Sequence, residues 1–148
     1  MSAQTPQDLT PNPFPEGRGS SPPSLGEGLG ERFNQERRRY VSLLERMVQA
    51  LPKAFAQIPE VERVWLCGSY ARGRRDLCTD LDLIVLMRSD YDIVTRTARL
   101  YERLAALLKL TVDLDMIAYT QEEFAQMRGR GFLKRALAEG RVIYERAG

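Results

Sequence analysis

The first sustained periodicity in the chain begins at Tyr40. Tyr40, Leu43, Leu44, Met47, Val48 and Leu51 fall three and four residues apart, which is the spacing of one apolar helical face. The pattern predicts a helix opening at Glu31, with "ERRRY" (36–40) on its wet face. Pro52 and Pro59 then bracket a break or a short second turn. After them the period changes. "VERVWLC" (61–67) and "TDLDLIVLM" (79–87) are short, apolar and rich in branched residues, so both are expected as strands. Ile93, Thr97, Leu100, Tyr101, Leu104, Leu107 and Leu108 predict a second amphipathic helix, and "TVDLDMIAY" (111–119) a third strand. Thr120 followed by Glu123 has the form of a capping box, opening a helix with Phe124 and Met127 inward. "GRG" at 129–131 weakens or bends that helix. Its second half ends at Gly140, expected as a left-handed C-cap, and "RVIYER" (141–146) is expected as a final short strand or edge segment.

The order is α-β-β-α-β-α-β. A crossover helix separates the second and third strands, which should therefore be parallel. The loop between the first and second is too short for a full crossover, so that pair should be antiparallel. The expected fold class is α/β (α+β), a small mixed sheet with flanking helices.

Composition changes the picture at the N-terminus. Residues 1–30 hold six of the eight prolines and five of the eleven glycines, with no helical or strand period. They are expected to be a disordered tail, leaving 31–148 as one domain. These 30 residues carry Arg18 against Asp8, Glu16 and Glu27, a net −2. The whole chain carries +2, so the remainder carries +4. That balance suits a polyanionic small molecule better than it argues for nucleic acid. No stretch is long and apolar enough to span a bilayer, and no signal-peptide pattern is seen near Met1. A cytoplasmic protein is expected.

Two cysteines and no histidine exclude a zinc tetrad, Ser-His-Asp chemistry and Cys-His chemistry. Cys67 is read as a small buried hydrophobe. Any catalysis must use carboxylates, backbone amides and a hard cation.

The acids are placed unusually. Asp80 and Asp82 share one strand face with Ile84 and Leu86; Asp113 and Asp115 share one with Ile117 and Tyr119. On parallel neighbours these acids would gather at one sheet edge. Two like charges ~4 Å apart repel by about 4 kcal/mol at an effective dielectric near 20. A raised pKa or a bound cation relieves this, and oxygen-only ligands suit Mg²⁺ or Mn²⁺. Gly68-Ser69 directly follow the first strand, where a short helix could begin and its free N–H groups could meet phosphate. Arg72, Arg74 and Arg75 add positive charge nearby.

Gly68-Ser69, then Asp80-Leu81-Asp82 after ten residues, then an acid on a later strand, resembles the nucleotidyltransferase superfamily that includes DNA polymerase beta. "GSYARG" with "TDLDLIV" is most similar to the minimal nucleotidyltransferases, the MNT proteins, as are "DMIAYTQEEF" and "GRVIYER". The similarity covers about residues 36–146. The resemblance implies that Asp80 and Asp82 bind two Mg²⁺ ions, with Mn²⁺ as alternative. It implies a third carboxylate that binds the catalytic ion and helps activate the acceptor hydroxyl. Asp115 is selected by its offset from "YTQEEF", with Asp113 as fallback. Gly68, Ser69 and, more weakly, Arg72 would hold the phosphates of ATP or another nucleoside triphosphate. Thr79 stands where the family usually has serine. Attack on the α-phosphate would release pyrophosphate and leave an AMP adduct. The part after the tail builds the catalytic core and little else, so the acceptor should be recognised by that core or by a partner. MNT proteins are often encoded beside HEPN toxins, which implies a HEPN partner, transfer of AMP to its tyrosine, antitoxin action and a hetero-oligomer. Two alternatives remain: a non-catalytic module of the same fold that neutralises its partner by contact, and a transferase acting on RNA or a small molecule.

Overall fold

In the computed structural model the described residues are 23–147, with side chains described from Gly28 onward. The chain divides into residues 1–38 and 39–148. Within the first unit the described residues are helical from Pro23, ahead of the Glu31 start expected from periodicity; residues 1–22 of the expected tail lie outside the described part.

The elements are α1 (Pro23–Ala56), β1 (Val61–Cys67), α2 (Gly68–Ala71), β2 (Leu81–Met87), α3 (Ile93–Leu107), β3 (Leu114–Tyr119), α4 (Gln121–Met127), α5 (Gly131–Glu139) and β4 (Arg141–Glu145). The four strands lie in the order β3-β2-β1-β4. β1 runs antiparallel to both β2 and β4, and β2 runs parallel to β3. The expected mixed sheet is therefore present, with the one-turn helix α2 added after β1.

Alternation along the strands builds two cores. Val64 and Leu66, Leu81, Leu83 and Val85, and Met116 and Ala118 join Leu44, Leu51 and Phe55 of α1 and Leu100 and Leu104 of α3. Trp65 and Cys67, Ile84 and Leu86, and Tyr119 point the other way and join Phe124, Leu133 and Ala136 of α4 and α5. Trp65 stacks on Phe124 with ring centroids 5.0 Å apart.

Several local expectations are corrected. α1 runs through Pro52 and ends at Ala56, so the break expected between Pro52 and Pro59 is present. On α3 the buried stripe is Arg96, Leu100 and Leu104, while Tyr101 and Leu107 are exposed. Met127 is exposed because α4 has only two turns, and Phe124 fills its inward position. Arg96 escaped the apolar pattern altogether. Its guanidinium donates to the Ala118 and Tyr91 carbonyls at 2.6 and 2.8 Å and to the Glu123 carboxylate at 2.7 and 3.1 Å. That network ties α3 to the end of β3 and the start of α4. Glu123 also completes the capping box with Thr120, and the Arg96 guanidinium lowers the pKa of its carboxyl.

Gly140 is not left-handed; its φ is −86°. Glycine is required there by close approach instead. A Cβ would lie 2.7 Å from Cys67 Sγ, 2.9 Å from the Leu66 carbonyl oxygen and 3.0 Å from that of Ala136. Two of these are backbone atoms that cannot swing aside. Gly140→Ala should lower stability by about 1–3 kcal/mol, read as a lower Tm. Gly129→Ala, with nothing within 4 Å of the added Cβ, should leave Tm nearly unchanged.

Candidate active site

Three backbone pairings assemble the site. β1 and β2 set Cys67 opposite Asp82, and β2 and β3 set Asp82 opposite Asp115. The Leu81 N–H donates to the Asp113 carbonyl at 3.1 Å, extending the β2–β3 register back past the strand starts. Asp80, one residue ahead of β2, lies on the same face as Asp82 by alternation. One carboxylate oxygen from each of Asp80, Asp82 and Asp115 comes within 4.8 Å of the other two. Asp113 is not in this group and is exposed. The geometry therefore brings together the acids expected from sequence and leaves the fallback outside.

Gly68 has φ +73°, which turns the chain sharply out of β1. A Cβ on it would lie 1.9 Å from Asp82 Oδ2. The absent side chain is thus what lets the Asp82 carboxylate occupy its position. α2 starts at Gly68 with no side-chain hydrogen bond capping it. The Asp80 N–H points at Ser69 Oγ, 3.4 Å away, so the Gly-Ser bend and the acidic segment touch directly.

The α2–β2 loop is held from below. Thr79 is fully buried; its Oγ1 accepts from the Asp76 N–H at 2.9 Å and donates to Asp76 Oδ1 at 3.2 Å. The Tyr40 hydroxyl donates to the Thr79 carbonyl at 2.8 Å, anchoring the residue before Asp80 to α1. Neither Thr79 nor Tyr40 was assigned this work from sequence. The three arginines of the loop separate. Arg74 pairs with Asp76 at 2.9 Å, and Arg75 lies over the Tyr70 ring. Arg72 lines the site and pairs with Glu139 of α5 at 3.0 Å.

Asp82 and Asp115 open onto a cleft of about 360 Å³. Gly68, Arg72, Asp82, Asp115 and Glu139 line it together with Ile84, Ile117, Phe132, Arg135 and Ala136. Sequence reasoning missed the contribution of α5, whose Phe132, Arg135, Ala136 and Glu139 share one helical face.

Burial, then Asp115 and Asp113, raises the pKa of Asp80, with Arg74 opposing. Burial, then Asp115 and Asp80, raises that of Asp82, with Arg72 opposing. A divalent cation removes both causes of unfavourable charge, and the donor set is hard oxygen only, so the residues fit Mg²⁺ or Mn²⁺. Cys67 is 2% exposed and its thiol is pushed up to about 11 by burial and by Asp82. It is therefore not a nucleophile near neutral pH.

Residues 49–147 match the family model "Polymerase beta, Nucleotidyltransferase". A Methanocaldococcus jannaschii protein named "Putative protein adenylyltransferase MJ0604" is 33% identical over 84 residues, covering 57% of this chain and 79% of that protein. A Sulfolobus solfataricus protein described as "a putative nucleotidyltransferase" superposes with a TM-score of 0.45 at 15% identity, over 76% of this chain and 86% of that chain. A chain from the complex of a tri-AMPylated Shewanella oneidensis HEPN toxin with an MNT antitoxin gives 0.40 at 20% identity, over 67% and 70%. The family rests on the model and the archaeal relative, and not on these two superpositions.

The raised carboxyl pKa values carry a sign for stability. A carboxyl whose pKa is higher folded than unfolded holds its proton more tightly when folded. Its contribution is therefore most favourable at low pH and is lost as pH rises through the raised value. In EDTA at pH 7, Asp82→Asn should raise Tm by a few degrees over wild type, and the gap should shrink as pH falls toward 4. Adding 5–10 mM Mg²⁺, roughly the range needed for weak carboxylate sites, should raise Tm of wild type and not of Asp82→Asn.

Proposed function

This chain belongs to the polymerase beta nucleotidyltransferase family, and from that premise we propose that it moves AMP from ATP onto a hydroxyl of a partner protein. We take the acceptor to be a tyrosine of a HEPN toxin, so that the chain acts as antitoxin in the cytoplasm within a hetero-oligomer. The observation that carries the catalytic part is the convergence of Asp80, Asp82 and Asp115, of which Asp82 and Asp115 line a cleft that Gly68 also lines. The protein acceptor is supported by the 33% identical archaeal relative, whose name is that of a protein adenylyltransferase. The HEPN partner follows from the sequence resemblance of "GSYARG" and "TDLDLIV" to the MNT group. No described helix is long and apolar enough to cross a membrane.

Each residue has a role that its surroundings permit. Asp80, Asp82 and Asp115 would hold Mg²⁺, which when bound supplies positive charge to the triphosphate and lowers the pKa of a nearby hydroxyl. Asp115 is the most exposed of the three acids and so the one an incoming protein can reach. Its carboxylate accepts the hydrogen bond of the acceptor hydroxyl and orients the oxygen. Gly68 and Ser69, at the start of α2 where no side chain caps the helix, would offer backbone N–H groups to a phosphate. Arg72 adds a cation at the same end of the cleft and must exchange Glu139 for phosphate oxygens. The acceptor oxygen gives up its proton to the Asp115 carboxylate, which passes it to solvent, as it bonds to the α-phosphorus; the bond from that phosphorus to the bridging oxygen breaks, and pyrophosphate leaves. Orientation and charge neutralisation supply most of the rate.

With α-labelled ATP, Mg²⁺ and the protein encoded beside it, the chain should label that protein, on tyrosine. Asp80→Ala, Asp82→Ala and Asp115→Ala should each reduce transfer by roughly a hundredfold to a thousandfold, the scale seen when charge-stabilising groups are removed, while Asp113→Ala should retain most of it. Absence of transfer with all four nucleoside triphosphates, while Asp82→Asn still neutralises the partner, would replace this reading with neutralisation by contact.

A further inference from the structure

The cleft has two chemically different ends. One is charged: Asp82, Asp115, Arg72 and Glu139 gather around Gly68. The other is mostly apolar: the sheet face that carries the acids continues as Ile84 and Ile117, and α5 lines the cleft there with Phe132 and Ala136, with the charged Arg135 beside them. Phe132 and Glu139 lie seven residues apart on the same face of α5, roughly 10 Å by helical rise. The charged and apolar ends are thus separated by about the span between the terminal phosphates and the base of an extended nucleotide. Phe132 is 56% exposed although it lines a cavity. It contributes little to either core; Leu133, its neighbour, fills the packing position at 1% exposure. Gly131, with φ +59°, turns the chain into α5 immediately before it. A large, flat, solvent-facing ring has little packing role here, and the cavity it lines also holds Asp82, Asp115, Arg72 and Glu139.

We infer that Phe132, across the cleft from Ile117, is the platform on which the nucleobase stacks, so that a purine is taken ahead of a pyrimidine. This rests on the nucleotidyltransferase reading and adds to it the part of the pocket that recognises the base. The preference follows from stacked area: a two-ring base covers more of a phenyl face than a one-ring base. Apolar side chains dominate this end, so adenine and guanine should be discriminated weakly.

The test is calorimetry of the full chain with Mg²⁺ and four probes: ATP, GTP, UTP and inorganic tripolyphosphate. Phe132→Ala should weaken ATP and GTP binding roughly tenfold to a hundredfold, the range for loss of one base–aromatic stack. It should leave tripolyphosphate affinity unchanged, and Phe132→Tyr should restore ATP affinity. Phe132→Trp supplies an independent signal. Its fluorescence should be quenched by ATP and not by tripolyphosphate, while Trp65, buried against Phe124, stays silent. Unchanged ATP affinity in Phe132→Ala, or equal losses for ATP and tripolyphosphate, overturns the platform. If wild type binds ATP and Asp82→Asn abolishes that binding, the enzymatic reading survives such a result. If wild type binds none of the probes, both fall.

Discussion

The structure turns on the placement of three like charges. Asp80, Asp82 and Asp115 present carboxylate oxygens within 4.8 Å of one another at the edge of a sheet whose faces are otherwise apolar. Without a counter-ion this arrangement is unfavourable, and the raised pKa values of Asp80 and Asp82 express that cost. It persists because backbone pairing fixes it. The parallel ladder between β2 and β3 holds Asp82 beside Asp115 whatever their charges prefer, and the apolar residues above and below each strand enforce the register. A one-residue slip would send Ile84 and Leu86 out of their core and the acids into the opposite one.

The surroundings are arranged to keep that edge open. Gly68 gives Asp82 the volume that a side chain would occupy. Thr79, Asp76 and Tyr40 brace the loop that delivers Asp80. Arg96, buried and bonded to Ala118 and Glu123, secures the far end of β3 and the turn into α4. Gly140 lets the end of α5 sit against β1, and α5 in turn forms the wall of the cleft. The stability of this half of the molecule is therefore spent on holding an electrostatically unfavourable cluster next to a cavity. That is the arrangement expected where a polyanion and hard cations bind together.

Much of this was legible along the chain. The alternation of Asp80, Asp82, Ile84 and Leu86, and of Asp115, Ile117 and Tyr119, is local, and the period of a strand makes it a statement about faces. The antiparallel β1–β2 pair and the parallel β2–β3 pair followed from connection lengths. The capping box at Thr120 and Glu123 appears as read, because capping is decided within four residues. Features set by neighbours distant in sequence were misread. Gly140 has the look of a left-handed cap, yet it is glycine because Leu66 and Cys67 press against it. Met127, Tyr101 and Leu107 have the spacing of core residues, yet among the described residues they stay exposed. Arg96 has the look of a surface residue, yet β3 and α4 close over it.

The sequence by itself determined which residues could do chemistry: carboxylates and a Gly-Ser bend, with no histidine in the chain. It determined that the acids would share strand faces, since side-chain direction in a strand depends only on parity. The offset from "YTQEEF" points to Asp115 ahead of Asp113, but it is the register between two strands that carries Asp115 beside Asp82 and leaves Asp113 outside the cluster. The tertiary structure alone decided that Arg72 faces the cleft while Arg74 and Arg75 turn to Asp76 and Tyr70, and that α5 supplies Phe132 as a wall. Contacts of this kind depend on where elements far apart in the chain come to rest, and no local period encodes that.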